Sequence, residues 1–326
     1  MMTMNYFVKA ALTLLTVFSL FTACKDDGND LNVKGTAQFE ITDGPADDPA
    51  VKGVFVTVTS IKVDGKVISG FNGPQTIDLM AYQEGKTKLL GVSELEAGSY
   101  QDVSLVLNYA TDVNGASPGC YVLTTDNVKH SLQATAAASG EIKPEVVNFT
   151  IEKGSTTNLV LDFDLRKSLR YESEVQPEDH YNFVTDTELR SALRLVTKAE
   201  TGKIQGNCQD NLAIAGDKIV VYAYKKGTFN KDTELQGQGQ SQIRFRNAVA
   251  SATVNAQGNY TLSFLEEGAY ELHFVGYEDK NNDGRLDVKG ELALSLTGNL
   301  GIDLHNIDVE AGSNVSLSLL VTGILP

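Results

Sequence analysis

The segment 279–287, DKNNDGRLD, combines residue types and a spacing that suit a calcium ion. Calcium takes about six to eight oxygen ligands, and a loop can supply them from positions 1, 3, 5 and 9 and from the carbonyl at position 7 when position 6 is glycine. Here the glycine is Gly284. The predicted ligands are Asp279, Asn281, Asp283, the carbonyl oxygen of Arg285, and Asp287.

Two features separate this loop from a complete helix–loop–helix calcium site. Position 12 is Gly290 in place of a bidentate glutamate, and Glu291 follows one residue late. Helical periodicity is also scarce on either side of the loop. Two interpretations therefore stay open: a weak calcium site, with a dissociation constant on the order of 10⁻⁴–10⁻³ M, and a solvated hairpin turn. Calcium is the one cofactor that the sequence predicts.

A second acidic group lies in the sequence TDGPADDP at 42–49, which contains Asp43, Asp47 and Asp48. Aspartates in turns more often accept hydrogen bonds from the local backbone than bind an ion, so a turn is the favoured interpretation. The histidines are too dispersed to indicate a metal site. They are His130, His180, His273 and His305.

No catalytic motif occurs in the sequence: there is no G-x-S-x-G, no H-E-x-x-H, no phosphate-binding glycine loop and no Cys with a nearby His. We therefore expect that the protein is not an enzyme. Distant carboxylates could still be brought together for glycoside hydrolysis. A sugar site would need aromatic rings for stacking. The chain has no Trp, and the candidates are Tyr181 and Phe183, with packing inside a loop as the alternative.

Residues 1–23 have the pattern of a secretory signal peptide, with one charge at Lys9 and an apolar run at 11–23. This run is shorter than the roughly 20 apolar residues that span a bilayer. It ends in LFTAC at 20–24, which resembles the bacterial lipobox, although Phe21 stands where Leu is usual. The resemblance implies that Cys24 is acylated and that its acyl chains hold the protein on a membrane. The alternative is a plain secretory signal followed by an incidental Cys.

The residues after Cys24 refine this localisation. Lys25, Asp26 and Asp27 resemble the lipoprotein export signal of Bacteroidota, which implies an outer-membrane lipoprotein exposed on the cell surface. The segment 24–33 would then be an acylated flexible tether, and a merely solvated tether is the alternative reading of its polar residues. The implied partners are outer-membrane lipid, through Cys24, and an unidentified extracellular protein or glycan.

Acylation of Cys24 would leave Cys120 and Cys208 as an even pair in an oxidising compartment. A disulfide between them is possible, because such compartments allow it. Two buried free thiols are the alternative, since the sequence does not show whether their Cα atoms lie within about 7 Å.

Alternating apolar and polar residues from Gly35 onward predict half-buried strands separated by turns. In the run 159–165, the Leu and Phe side chains should face a core, while Asp162 and Asp164 should face water. Asp64-Gly65 predicts a tight hairpin turn, because both central residues of a type I′ turn need positive φ. Further strands are predicted at 189–196 and 242–254.

The pattern L-x-x-G-x-Y occurs twice before a strand, at 95–100 and at 265–270. It suits a tyrosine corner, in which a Tyr hydroxyl bonds a backbone group a few residues upstream in a Greek-key sandwich. Two copies predict an all-β protein of two tandem Greek-key β-sandwiches, immunoglobulin-like or transthyretin-like. The alternation lapses at 197–202, so the predicted domains are 34–198 and 199–326, after a signal peptide at 1–23.

Two family resemblances support this division. Residues 35–63, with TDGPADDP before a Val-rich strand, resemble an uncharacterised domain family of Bacteroidota lipoproteins, and the likeness extends to about Val196. Residues 202–290, through GKIQG at 202–206 and GNYTL at 258–262, are similar to the carboxypeptidase regulatory, transthyretin-like module. The first family implies a sandwich without an established activity, and the second implies a non-catalytic sandwich.

Charge limits the function classes further. Lys and Arg number 27 against 42 Asp and Glu, giving a formal net charge of −15. Binding to nucleic acid is therefore not expected, because neutralising phosphates needs clustered cations. We expect a surface-anchored lipoprotein that acts as a non-enzymatic binding, adhesion or assembly component. The alternative is an extracellular glycan-handling protein, either a glycan-binding lipoprotein or a hydrolase.

Overall fold

Strands make up most of the chain that the computed structural model describes, which comprises residues 33–46, 48–133, 140–173, 175–176, 179–282, 284–297 and 301–326. Cys24, Lys25, Asp26, Asp27 and Asp283 lie outside these residues. The range Lys34–Pro326 is one compact unit. No helix among the described residues has the length and apolar character needed to cross a membrane.

The strands before residue 198 form two main layers. In chain order they are β1 (Lys34–Gly44), β2 (Val51–Val63), β3 (Lys66–Val67), β4 (Gln75–Asp78), β5 (Lys88–Glu96), β6 (Gly98–Tyr100), β7 (Val103–Leu107), β8 (Tyr121–Thr124), β9 (Lys129–Ser131), β10 (Glu141–Ile142), β11 (Phe149–Ile151), β12 (Thr156–Asp164), β13 (Leu169–Tyr171), β14 (Tyr181–Phe183) and β15 (Leu193–Thr197). Two helices, α1 (Leu165–Ser168) and α2 (Asp186–Ala192), lie among the last of these strands.

One layer of this first sandwich has the strand order β15-β12-β1-β5, and the other has the order β10-β7-β2-β8-β9, with β3 and β4 also paired to β2. Strands β1 and β12 run parallel. Phe39, Ile41 and Phe163 from the first layer share one buried core with Val56 and Ile61 from the second. The alternation of these strands therefore buries one side of each layer against the other.

The strands from residue 201 form the second sandwich. They are β16 (Thr201–Gln209), β17 (Lys218–Lys225), β18 (Ala250–Thr253), β19 (Asn259–Glu266), β20 (Gly268–Glu278), β21 (Asp287–Leu296), β22 (Ile307–Val309) and β23 (Asn314–Ile324), with one short helix, α3 (Lys231–Glu234). Their order is β18-β17-β20-β21-β23-β16-β19, with β22 paired to β20.

Strand β21 joins the two layers of the second sandwich. Its first half pairs with β20 and its second half pairs with β23. Ile204, Leu262, Phe274 and Leu319 share the core. The all-β class and the tandem sandwich arrangement predicted from the sequence are confirmed.

Both predicted tyrosine corners are present. The hydroxyl of Tyr100 donates to the carbonyl oxygen of Glu96, and that of Tyr270 donates to the carbonyl oxygen of Glu266, each at 2.7 Å. The glycine two residues before each Tyr has a positive φ, 154° at Gly98 and 140° at Gly268, a conformation that L side chains rarely adopt. The repeated pattern thus makes the same local turn in both sandwiches.

One predicted turn and two predicted strands can be compared with the structure. Asp64 and Gly65 have φ of 48° and 73°, so the predicted hairpin turn is confirmed. The strand predicted at 189–196 is wrong in its first half. There α2 begins after a capping box in which Thr185 and Glu188 bond each other's backbone N–H groups. The strand predicted at 242–254 is present only at Ala250–Thr253.

Candidate functional site

The face of β12 that was predicted to meet water is buried instead. Asp162 and Asp164 are only 9% and 6% exposed. On the same side, Val160 and Val196 form an apolar cluster with Phe264 of the second sandwich. The prediction failed because a polar strand face has the same sequence pattern whether water or another domain's polar groups cover it.

Arg166, in α1, connects the two sandwiches. Its side chain is 1% exposed, and its Nη2 atom lies 3.0 Å from Oδ2 of Asp164. Its Nη1 atom donates to the carbonyl oxygens of Arg244 at 3.0 Å and Phe245 at 2.8 Å, both in the second sandwich. Backbone carbonyls and a carboxylate therefore satisfy a guanidinium that is taken out of water.

Two more cations of the first sandwich reach the second in the same way. Nζ of Lys167 lies 2.9 Å from the carbonyl oxygen of Ala248 and 3.2 Å from Oδ2 of Asp164. Arg194 donates twice to Oδ2 of Asp162, at 2.6 and 2.8 Å, and once to the carbonyl oxygen of Phe264 at 2.9 Å. We call Arg166, Lys167 and Arg194 with Asp162 and Asp164 the inter-sandwich clamp.

The clamp keeps Asp164 ionised although it is buried. Burial alone would raise the pKa of this carboxyl, but the charges of Arg166 and Lys167 lower the pKa below its ordinary value. Nearby Asp43 behaves in the opposite way: burial, and then the charges of Asp162 and Asp164, raise its pKa well above the ordinary value, against a hydrogen bond from Gln83. Its Oδ1 atom accepts from the backbone N–H of Leu165 at 3.2 Å.

A cavity of about 140 Å³ lies where both sandwiches meet the segment around β13 and β14. Leu165, Leu169 and Leu286 contribute apolar walls. Its polar side chains, beside Arg166 of the clamp, are Asp48, Arg170, Tyr171, Tyr181 and Arg285, and we call this site the tyrosine–arginine pocket.

The polar side chains of the tyrosine–arginine pocket are fixed by one another. The guanidinium carbon of Arg285 lies 3.6 Å from the centre of the Tyr171 ring, and its Nη1 atom lies 2.9 Å from Oδ2 of Asp48. The hydroxyl of Tyr181 donates to the same Asp48 oxygen at 2.8 Å. Burial, and then the charge of Asp48, raise the pKa of Tyr181, so the phenol stays a donor.

Arg170 is the polar side chain of this pocket with unused hydrogen-bonding capacity. Its Nη1 atom pairs with Oε1 of Glu172 at 2.5 Å. Its Nε atom is buried and has no hydrogen-bond partner among the described residues. A buried N–H without a partner is costly, which makes this group a candidate donor to a ligand oxygen.

The two aromatic residues proposed for sugar stacking have different environments in the structure. Tyr181 forms part of the pocket wall, whereas Phe183 is 0% exposed and packs in the core against Tyr109 and Phe163. Phe183 is therefore not a surface candidate. Sequence reasoning missed Tyr171 and Arg170, because their contribution depends on a distant loop packing against them.

The loop 279–286 connects β20 to β21. Oδ2 of Asp279 accepts from the backbone N–H of Gly284 at 3.0 Å, and the N–H of Asp279 donates to Asp217 at 2.9 Å. The side chain of Arg285, whose carbonyl was the predicted ligand, reaches the tyrosine–arginine pocket. The described residues contain no group of three or more His, Cys, Asp or Glu that could hold a metal ion. Because Asp283 lies outside them, calcium binding stays a prediction.

The possible disulfide is absent from the structure. Cys120 and Cys208 are both free and buried, Cys120 in the core of the first sandwich and Cys208 in the core of the second. Burial raises the pKa of each thiol to about 12, so neither is a reactive thiolate at neutral pH. Packing in two separate cores is the physical reason that they do not meet.

Among solved structures, the similarities are weak. The Bacillus anthracis TIE protein is 13% identical, with 88% of this chain and 34% of that chain covered and a TM-score of 0.18. A leucine-rich repeat protein from Bacteroides thetaiotaomicron is 12% identical, with coverages of 90% and 27% and a TM-score of 0.19. BcpA, the major pilin subunit of Bacillus cereus, is 9% identical, with coverages of 89% and 70% and a TM-score of 0.20.

This chain thus spans about a third or less of the first two proteins, and such TM-scores do not bear on function. No curated protein sequence matches the chain. Residues 34–185 match the family described as Domain of unknown function (DUF4382), and the match ends just before α2. The expectation of an uncharacterised domain in the first sandwich is therefore confirmed.

Proposed function

We propose that the protein is a lipid-anchored component of the outer membrane, exposed on the cell surface, that works as a non-enzymatic binding, adhesion or assembly protein. The observation that carries the proposal is the inter-sandwich clamp. Arg166 is taken almost completely out of water to bond carbonyl oxygens of the second sandwich. Separating the sandwiches would remove the carbonyl acceptors of Arg166, Lys167 and Arg194 and leave these buried donors unpaired, which is costly.

A clamp of this kind suits a protein that presents its loops in fixed relative positions. Domain interfaces within a chain usually allow relative motion unless they are large or strongly bonded. Here three cations of one sandwich bond backbone carbonyls of the other, which fixes the mutual orientation. A tether of residues 24–33 would then place this fixed body at the membrane surface.

The anchoring part of the proposal is tested by labelling intact cells with palmitate. Cys24→Ser should lose the label and leave the membrane fraction, because the sulfur is the predicted attachment atom. Replacing Lys25, Asp26 and Asp27 with Ala should keep the label but remove accessibility to added protease. A Cys24→Ser chain that keeps the label, or purified protein that hydrolyses polysaccharides or peptides, would contradict the proposal.

Glycan binding is a second candidate function, favoured by the tyrosine–arginine pocket. A cavity of about 140 Å³ has room for about one six-membered ring. Tyr171 and Tyr181 offer aromatic walls, and the buried Nε of Arg170 offers a donor without a partner among the described residues. These are the apolar and polar elements that sugar sites combine.

A glycan array tests this candidate. Arg170→Gln should lose binding, and Tyr181→Ala should lose it through the missing ring. Arg190→Gln is the matched control, because Arg190 is exposed and lies outside the pocket. No binding by the natural chain across host and dietary glycans, or equal binding by Arg170→Gln, would exclude this pocket as a glycan site.

A further inference from the structure

An open cleft of about 490 Å³ lies between the first sandwich and the segment 238–249 of the second. Three cationic side chains line it: Lys167, Arg194 and Arg246. Glu145, which is exposed, is the acidic side chain on its lining. Such a concentration of cations is notable in a chain whose formal net charge is −15. Lys167 and Arg194 are paired with Asp164 and Asp162, so Arg246, whose ion pair with Glu188 is long, is the cation best placed to attract an anion.

Arg246 has most of its hydrogen-bonding capacity unused. Within the described part of the chain, its guanidinium has one ion pair, a long one of 3.8 Å to Oε1 of Glu188, and no hydrogen bond. Glu188 is already satisfied by others: its carboxylate accepts from Thr185 at 2.7 and 3.2 Å and from Ser241 at 2.5 and 3.1 Å. A guanidinium with free donors suits a planar or tetrahedral oxyanion.

Lys167 and Arg194 are held in place on the other side of the cleft by the clamp. Their ion pairs with Asp164 and Asp162 fix both side chains before any ligand arrives, which lowers the entropic cost of binding. Burial, and then the charges of Arg166 and Arg194, lower the pKa of Lys167 against the opposing effect of Asp164. An anion beside Lys167 would offset these repulsions.

We propose that this cleft binds a small oxyanion, a carboxylate or a phosphate or sulfate group, through Arg246 with support from Lys167 and Arg194. The group could be a free ion or part of a larger molecule, since the cleft is open to solvent. Gln238 and Asn247 also lie on the lining, but their amide nitrogens already donate to Glu234, so the anion would rely on the cations. The site is separate from the tyrosine–arginine pocket and does not depend on the proposed function.

Isothermal titration of the full-length protein in detergent tests the proposal, with phosphate, sulfate and glucuronate as probes and chloride at equal ionic strength as the blank. The natural chain should bind at least one probe. Arg246→Gln should weaken that binding about tenfold, because it removes charge-assisted hydrogen bonds. Glu145→Gln should strengthen it about two- to threefold, since a like charge leaves the cleft.

Arg244→Gln is the matched control, because Arg244 is exposed, lies two residues away and is not part of the lining. It removes the same net charge and should bind like the natural chain. Binding of the inorganic ions alone would assign the site to free ions, and preference for glucuronate would assign it to carboxylates of larger molecules. Absence of binding for all three probes, or an equal loss in Arg244→Gln and Arg246→Gln, would overturn the proposal.

Discussion

Nη1 of Arg166 donates a hydrogen bond to the carbonyl oxygen of Phe245 at 2.8 Å, which joins residues of two different sandwiches. The same nitrogen also bonds the carbonyl oxygen of Arg244, and Nη2 pairs with Asp164. A single side chain therefore donates to two carbonyl oxygens of the second sandwich and to one carboxylate of the first. Removing the Arg166 side chain should therefore destabilise both sandwiches.

We expect Arg166→Met to lower the free energy of unfolding by about 3 kcal/mol, because it takes one cation from buried Asp164 and a donor from the carbonyl oxygens of Arg244 and Phe245. Lys167 still pairs with Asp164, which keeps the loss from being larger. Urea denaturation followed by Tyr fluorescence and circular dichroism measures it. The control, Arg190→Met at an exposed position, should change stability by less than about 0.5 kcal/mol. Equal effects of the two substitutions would show that the clamp does not stabilise the fold.

The two tyrosine corners differ in burial, and this predicts different costs for removing their hydroxyls. Tyr270 is fully buried, and its hydroxyl also accepts a hydrogen bond from Nζ of Lys225. Tyr270→Phe should therefore cost about 1–1.5 kcal/mol, whereas Tyr100→Phe should cost about 0.5 kcal/mol, because water can replace the hydroxyl at the more exposed corner. Denaturation midpoints of the two variants provide the comparison. Equal losses of unfolding free energy in the two variants would mean that burial does not determine how much each hydrogen bond contributes to stability.

Asp43 predicts a change of stability with pH. Its pKa is raised in the folded state, so the folded chain holds this proton more tightly than the unfolded chain does, and stability falls as pH rises above the ordinary value of 3.8 toward the raised value. Asp43→Asn removes that loss. The variant should unfold at higher urea concentration than the natural chain at pH 8, and the difference should shrink near pH 4. A difference that does not depend on pH would show that Asp43 does not titrate in this way.

Calcium should raise the melting temperature if the loop 279–287 binds it. An ion at about 100 times its dissociation constant stabilises the folded state by about 2.7 kcal/mol, and about 10 mM calcium would approach this ratio for the tighter end of the expected range. Asp283→Ala should abolish the increase relative to chelator. Asp232→Ala, at an exposed position outside the loop, should retain it. Identical melting curves with calcium and chelator would identify the loop as a solvated turn.

Local signals in the sequence predicted the fold class well. The hairpin turn at Asp64 and the corners at Tyr100 and Tyr270 depend only on residues close in the chain. Their sequence patterns were therefore sufficient to predict them. The alternation along β12 also identified its core side correctly, since Phe163 is buried there.

The site was harder to predict, because its residues come from distant segments. Asp162 and Asp164 gave the pattern of a solvated face, and only their burial against the second sandwich reveals that cations cover them. Arg285 was considered for its carbonyl oxygen, whereas its side chain stacks on Tyr171. Short polar motifs do not indicate which remote partner a long side chain will reach.

The position of β1 has a mechanical consequence. Lys34 begins a strand in the interior of its sheet, with β12 paired along one side through Thr36–Gly44 and β5 paired along the other. A pull along β1 would load both rows of hydrogen bonds at once, so that the strand must shear against two neighbours. An edge strand pulled along its axis would be held by one row of hydrogen bonds only and should yield at a lower force. We therefore expect the fold to resist forced extraction of β1 when the chain is pulled from its N-terminal side.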